Sequence, residues 1–225
     1  MKIQRVSNIM FPKRSKTSGM KFVVLGLVSY LMVFGLSAAS WAGNVFRIDQ
    51  QVASGVFSST DPSGCIFTQV SIFASDTILQ FPPGPGDGSS NGFVSIVQSD
   101  FCTGGQVILL AEGLAPLADQ DFQVTPTLDS ATLIATVNVF DFVSGTSFAL
   151  NVDMTWTSTG PLGRRNSHSH QSFSGCKTNV HSNSVFRPVQ ASGAVSDGVK
   201  NFTPGVSDAA DLSSDKSGNV DIGCQ

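Results

Sequence analysis

Between residues 146 and 158 apolar and polar side chains alternate without a break. Phe148, Leu150, Val152, Met154 and Trp156 fall on one side, and Ser147, Ala149, Asn151, Asp153 and Thr155 on the other. A period of two is the mark of an extended strand with one buried face. Residues 130–142 follow the same rhythm, with Leu133, Ala135, Val137 and Val139 opposed by Ile134 and Phe140. Val143-Ser144-Gly145 lies between the two segments, so they are expected to form a long hairpin.

Further strands are expected at 45–49, 51–58, 64–75, 92–99, 106–111, 166–173, 178–188, 191–197 and 217–224, each bounded by Gly, Pro, Asp or Ser. The run from Phe81 to Gly92 is rich in Pro and Gly and reads as a solvated loop. No ten-residue window carries a 3.6-residue apolar stripe; Leu109 to Leu117 comes nearest, and Gly113 and Pro116 interrupt it. The pattern predicts one all-β domain, an antiparallel β-sandwich, with a jelly roll or a barrel as variants.

The first 42 residues follow a different logic. Lys2, Arg5, Lys13, Arg14, Lys16 and Lys21 precede an uncharged apolar run from Phe22 to Leu36, and Ser37-Ala38-Ala39-Ser40-Trp41-Ala42 follows. A basic stretch, a short apolar core and small residues at the −3 and −1 subsites make a secretory signal peptide. Residues 1–42 are therefore expected to be cleaved before Gly43, with Met20 an alternative start, leaving 43–225 as the exported domain. The apolar core falls short of the roughly 20 residues a membrane span needs, so no stable span is expected after cleavage. The expected location is secreted or otherwise extracytoplasmic, including periplasm or cell surface.

Removing the leader changes the charge. Seven basic residues remain against all sixteen acids, a formal −9. So acidic a domain repels phosphate backbones, which argues against nucleic-acid binding. All but Glu112 of the acids are Asp, which suits turns better than helices. Cys65, Cys102, Cys176 and Cys224 all lie in the exported part. An even count in an exported chain points to two disulfides, and neighbour pairing gives Cys65–Cys102 and Cys176–Cys224.

Chemistry-bearing residues are few. His168-Ser169-His170 is an H-x-H on an expected strand, so both rings leave one face. A turn at Ser174-Gly175-Cys176-Lys177 would set His181 across from His170, and three imidazoles could then hold zinc or copper. The same histidines also read as an exposed polar hairpin, lying among Ser167, Ser169, Ser172, Ser182 and Ser184.

Gly88-Ser89-Ser90-Asn91-Gly92 matches G-x-S-x-G but lacks the strand–turn–helix context of a nucleophile elbow. Asp215 to Asp221 loosely follows a calcium loop without its closing Glu. Glu112, Asp119 and Asp121 are carboxylates of the kind glycosidases pair, and Arg164-Arg165 is a basic doublet that suits a loop tip or an anionic ligand.

The expected role is a non-enzymatic binding or surface-associated module, with no catalytic residues. One alternative is a small metal-binding protein or metal-dependent hydrolase on His168, His170 and His181. Another is a carbohydrate-binding module, for which Trp156 is the one tryptophan outside the leader.

Overall fold

The computed structural model describes residues 45–80, 86–173 and 176–224; the side chains of residues 45, 46, 171, 173, 176, 178 and 219–224 are outside that description. The chain divides into two units, Met1–Ser40 and Trp41–Gln225, and every described residue belongs to the second. The expected leader and its cleavage point lie outside the described residues.

The described fold is all-β and antiparallel, with no helix. Its strands are β1 (Val45–Thr60), β2 (Ile66–Gln80), β3 (Asp87–Asp100), β4 (Gln106–Leu117), β5 (Phe122–Val124), β6 (Ser130–Asp141), β7 (Thr146–Ser158), β8 (Gly163–Phe173), β9 (Cys176–Ser196) and β10 (Ala209–Cys224). Hydrogen bonding runs β1-β2-β3-β4-β6-β7-β9-β10, and β10 pairs with β1 as well as with β9, so the circuit returns to its start. β5 pairs with β6 and β8 with β9, both beside this circuit.

Alternation places the core as the sequence predicts. β6 buries Ala131, Leu133, Val137 and Val139, and β7 buries Leu150, Val152, Met154 and Trp156. Val70, Ile72, Val94, Ile96, Ala191 and Leu212 belong to the same cluster. Each of the larger aliphatic side chains, Val, Leu, Ile or Met, contributes about 1.5–3 kcal/mol by leaving water. Trp156 is fully buried, and its indole N–H donates to the Ser54 carbonyl at 2.8 Å, which satisfies its one polar atom.

The circuit is thinnest between β4 and β6, which share only the pairs Ala111–Asp141 and Glu112–Phe140. Here the backbones cross closely: a Cβ on Gly113 would lie 2.2 Å from the Asn138 carbonyl oxygen, so only glycine fits. Asp141 fastens the crossing by accepting from the Leu110, Val143 and Ser144 amides at 3.2, 3.0 and 3.2 Å. Hydrogen bonding to Ser144 first, then to Val143 and Leu110, holds its carboxyl below the usual carboxylate range. At the same end, the connection after β9 folds back and buries Phe202 and Thr203. Thr203 Oγ1 accepts from the Val195 amide at 3.0 Å and donates to the Gly193 carbonyl at 3.2 Å.

Several expectations change. Gly88 to Gly92 is the opening of β3 rather than loop, because Ser90 and its neighbours pair with β2 on one side and β4 on the other. The expected strands 45–49 and 51–58 are one strand, as are 178–188 and 191–197, with Pro188 inside β9. β10 begins at Ala209, well before residue 217, and β5 lies in a stretch where no strand was expected. Cys65 and Cys102 form a disulfide with Cα atoms 5.2 Å apart, joining the β1–β2 and β3–β4 turns. It is the one disulfide among the described residues. The Cys176 and Cys224 side chains lie outside them, although the two backbones pair directly across β9 and β10.

Candidate binding face

β9 has 21 residues, more than one neighbour can pair along a single edge. β7 takes its C-terminal part, Val189–Ser196, and β8 takes its N-terminal part, Cys176–Phe186, along that same edge. The N-terminal part of β9 thus stands beyond the end of β7, carrying β8 on one side and β10 on the other.

Along these strands, the face that lines the core changes character at one level. On β1 the buried Ala53 gives way to Gln51, Asp49 and Arg47, all two residues apart. On β10, Leu212 gives way to Ser214 and Lys216; on β2 and β3, Ala74 and Gly92 give way to Asp76 and Ser90, whose hydroxyl donates to Asp76 at 2.9 Å. On β9 the face runs from Val189 through Arg187 and Val185, which still packs on the core, to Asn183, His181, Asn179 and Lys177. Arg164 pairs with Val185, so Arg164, Asn166, His168 and His170 of β8 share this face. The result is a polar shelf continuous with an apolar interior.

The three histidines meet here. His168 lies directly across from His181, and His170 across from Asn179. The expected register put His181 opposite His170; the observed one is shifted by two residues, which keeps all three rings on one face. The His168 and His181 rings stack with centroids 3.9 Å apart and planes 14° apart, and His168 meets His170 edge-on at 4.2 Å. His170 Nδ1 is hydrogen-bonded to the Asn179 side-chain oxygen. Crowding lowers the His168 pKa below the ordinary histidine value, through desolvation first and then repulsion from His181 and His170. Among the described residues, no group of three or more His, Cys, Asp and Glu side chains is arranged to hold a metal ion.

The shelf also gathers charge. Arg47, Arg164, Lys177, Arg187 and Lys216 lie on it, five of the seven basic residues outside the expected leader. Arg47 pairs with Asp49 at 3.1 Å and Arg187 with Asp129, which leaves Arg164, Lys177 and Lys216 as its exposed cations without an ion pair among the described residues. The clustering went unseen in the sequence because it needs the pairings: these residues are scattered from 47 to 216.

Other candidates come apart. Arg164 and Arg165 sit on an extended strand, not a loop tip, so they leave opposite faces. On the far side of the hairpin, Ser167 and Ser182 share a hydrogen bond at 2.6 Å. Asp215 to Asp221 lies within β10, extended instead of looped around an ion. Glu112 is exposed and accepts from Ser95 at 3.2 Å, while Asp121 accepts from the Ala118 amide at 2.9 Å in a turn. Trp156 is core, so it offers no platform for a sugar ring.

At the opposite end, a cleft of about 410 Å³ opens between Gln98, Leu109, Phe148 and the loop carrying Val199, Lys200 and Phe202. Phe101, Phe142 and Val199 stand exposed on the turns around it.

No protein-family model matches this chain, and no curated protein matches it. Among solved structures, a Nitrosomonas europaea crystal structure of a protein provisionally described as AttH aligns at 14% identity and a TM-score of 0.33. The alignment covers 80% of this chain and 52% of that one, so this chain spans about half that protein's length. A likeness that slight carries no argument about fold or role.

Proposed function

We propose that this chain is an exported, non-enzymatic binding module, rolled into a closed barrel rather than a sandwich, that takes anionic ligands on its polar shelf. The return of β10 to β1 supports the barrel, since a closed circuit leaves no open edge among its eight strands. One observation carries the functional reading. In a domain of net −9, five of seven basic residues share one sheet face. Solvation alone would scatter them, whereas an anion site gathers them. Chromatography of the mature protein on immobilised dextran sulfate at low ionic strength tests it. Retention that disappears in a Lys177→Gln/Lys216→Gln variant supports the shelf; retention unchanged in that variant, or none in the wild type, counts against it.

A zinc or copper centre on His168, His170 and His181 is a second reading, favoured by the contact among the three rings. The stacking of His168 on His181 weighs against it. Lone pairs of near-parallel rings run in parallel, so one ion about 2 Å from both nitrogens cannot lie in both ring planes. Metal content of protein purified without a histidine tag separates the two readings.

A further inference from the structure

We infer that the cleft at the end opposite the shelf binds a small phenolic acid, with its hydroxyl inward on Gln98 and its carboxylate at the mouth on Lys200. The inference does not depend on the shelf. At this end the core-lining face finishes on polar side chains. On β3, Val94 and Ile96 lead in steps of two to Gln98, and on β2, Val70 leads to Thr68, directly across from Gln98. Both side chains are buried, and Gln98 Nε2 donates to Thr68 Oγ1 at 2.8 Å. Gln98 also lines the cleft, and its Oε1 has no donor among the described residues. A largely buried carbonyl oxygen without a donor is unfavourable, and a ligand hydroxyl at this depth relieves it.

Around Gln98 the walls are apolar. Leu109 and Phe148 pack against the core and line the cleft, and Val199 and Phe202 line it from the connection between β9 and β10. That connection is fixed by the protein itself: the Phe202 amide donates to the Val195 carbonyl at 2.8 Å, and the buried Thr203 ties it to Gly193 and Val195. A site already ordered loses little freedom on binding. Two of the four apolar walls are phenyl rings, which favours an aromatic body through offset or edge-on contacts. The volume of about 410 Å³ lies near the lower end of the roughly 300–1,000 Å³ of small-molecule sites, room for one ring with a short chain.

Lys200 supplies the charge at the mouth. Its Nζ stands over the Phe202 ring, 5.2 Å from the centroid, and has no ion pair among the described residues. The carboxylates nearby are drawn back onto their own turns. Asp197 accepts from the Val199 and Lys200 amides at 2.9 and 2.7 Å. Asp100 accepts from the Cys102 and Thr103 amides at 2.9 and 3.2 Å, and Asp141 caps the β6–β7 turn in the same way. Lys200 is thus the group lining the cleft that calls for a counter-charge, and one carboxylate provides it. The surrounding acids disfavour anything more anionic.

Calorimetric titration of para-hydroxyphenylpropanoate into the mature protein tests the inference. The comparators are phenylpropanoate, which lacks the hydroxyl, and para-propylphenol, which lacks the carboxylate. The parent should bind at one site, about fivefold more tightly than either comparator, the scale of one hydrogen bond or one exposed ion pair. Lys200→Gln, a change at an exposed position, should bind the parent and para-propylphenol equally. Gln98→Leu should bind the parent and phenylpropanoate equally; if it fails to fold, the wild-type comparison reads the same contact. Lys177→Gln/Lys216→Gln should bind the parent as the wild type does. Equal wild-type binding of the parent and phenylpropanoate would overturn the Gln98 contact and the phenolic assignment with it. Equal binding of the parent and para-propylphenol would overturn the carboxylate at Lys200. Loss of binding in Lys177→Gln/Lys216→Gln would move the ligand to the shelf and overturn the cleft. No binding of the three, with or without a dimer that Phe142→Ser/Val199→Ser dissociates at these exposed tips, would overturn the inference outright.

Discussion

The β6–β7 and β8–β9 hairpins are built by the same backbone rule and do opposite work. Both are antiparallel pairs with unbroken register. In β6–β7 one face buries Leu133, Val137, Leu150, Met154 and Trp156, and the other meets water. In β8–β9, residues 164–170 are exposed on both faces, and among the described residues no strand pairs with the outer edge of β8. The first hairpin is held by what it covers. The second is held by backbone bonds and by β9's anchorage to β7 and β10, and Arg164 and Arg165 guard its open edge against pairing with another chain. A face that buries little is free to bind, and that is why the candidate site falls on the second hairpin.

The largest test of this contrast lies in the first hairpin. Trp156→Ala removes a fully buried ring and the hydrogen bond to Ser54, and should cost about 3–5 kcal/mol in urea unfolding. A cost below 1 kcal/mol would mean that the core does not rest on this hairpin.

A second test turns on pH. The His168 pKa is lower in the folded chain than the ordinary value of 6.5, so the unfolded chain binds the proton more readily. Its stabilising contribution is therefore complete above the unfolded pKa and is lost as pH falls through the folded one. Hydrogen-exchange protection, corrected for intrinsic rates, should fall in β8–β9 between pH 7 and pH 5 and hold in β6–β7. Equal loss in both hairpins would break the contrast.

The smallest effect belongs to the far face of the second hairpin. Ser167→Ala and Ser182→Ala together remove an exposed hydrogen bond of 2.6 Å and should change stability by no more than about 0.5 kcal/mol. A loss comparable to that of Trp156→Ala would show that β8–β9 carries the fold after all.

The same contrast explains what could be read from the sequence. Period-two alternation revealed β6 and β7 nearly to the residue, because burial on one face writes itself into residue type. Where neither face is buried the pattern carries no such mark. β10 was caught only at its end, and Gly88 to Gly92 passed for loop although neighbours on both sides make it strand. The histidine face was legible from the i, i+2 spacing of His168 and His170. The register was not, since the turn expected at 174–177 can close one residue earlier or later on each strand. The cations of the shelf come from β1, β8, β9 and β10, and only the pairing of β10 with both β1 and β9 brings them together.

Mapping the bound anion onto the chain tests the central claim most directly. Amide chemical shifts of the isotope-labelled mature protein, followed as short dextran sulfate chains are added, should move around Arg164, His168, Lys177, His181, Asn183 and Lys216 and stay still at the far end. Shifts centred instead on Phe101, Phe142 and Val199, around the cleft at the opposite end, would contradict the account.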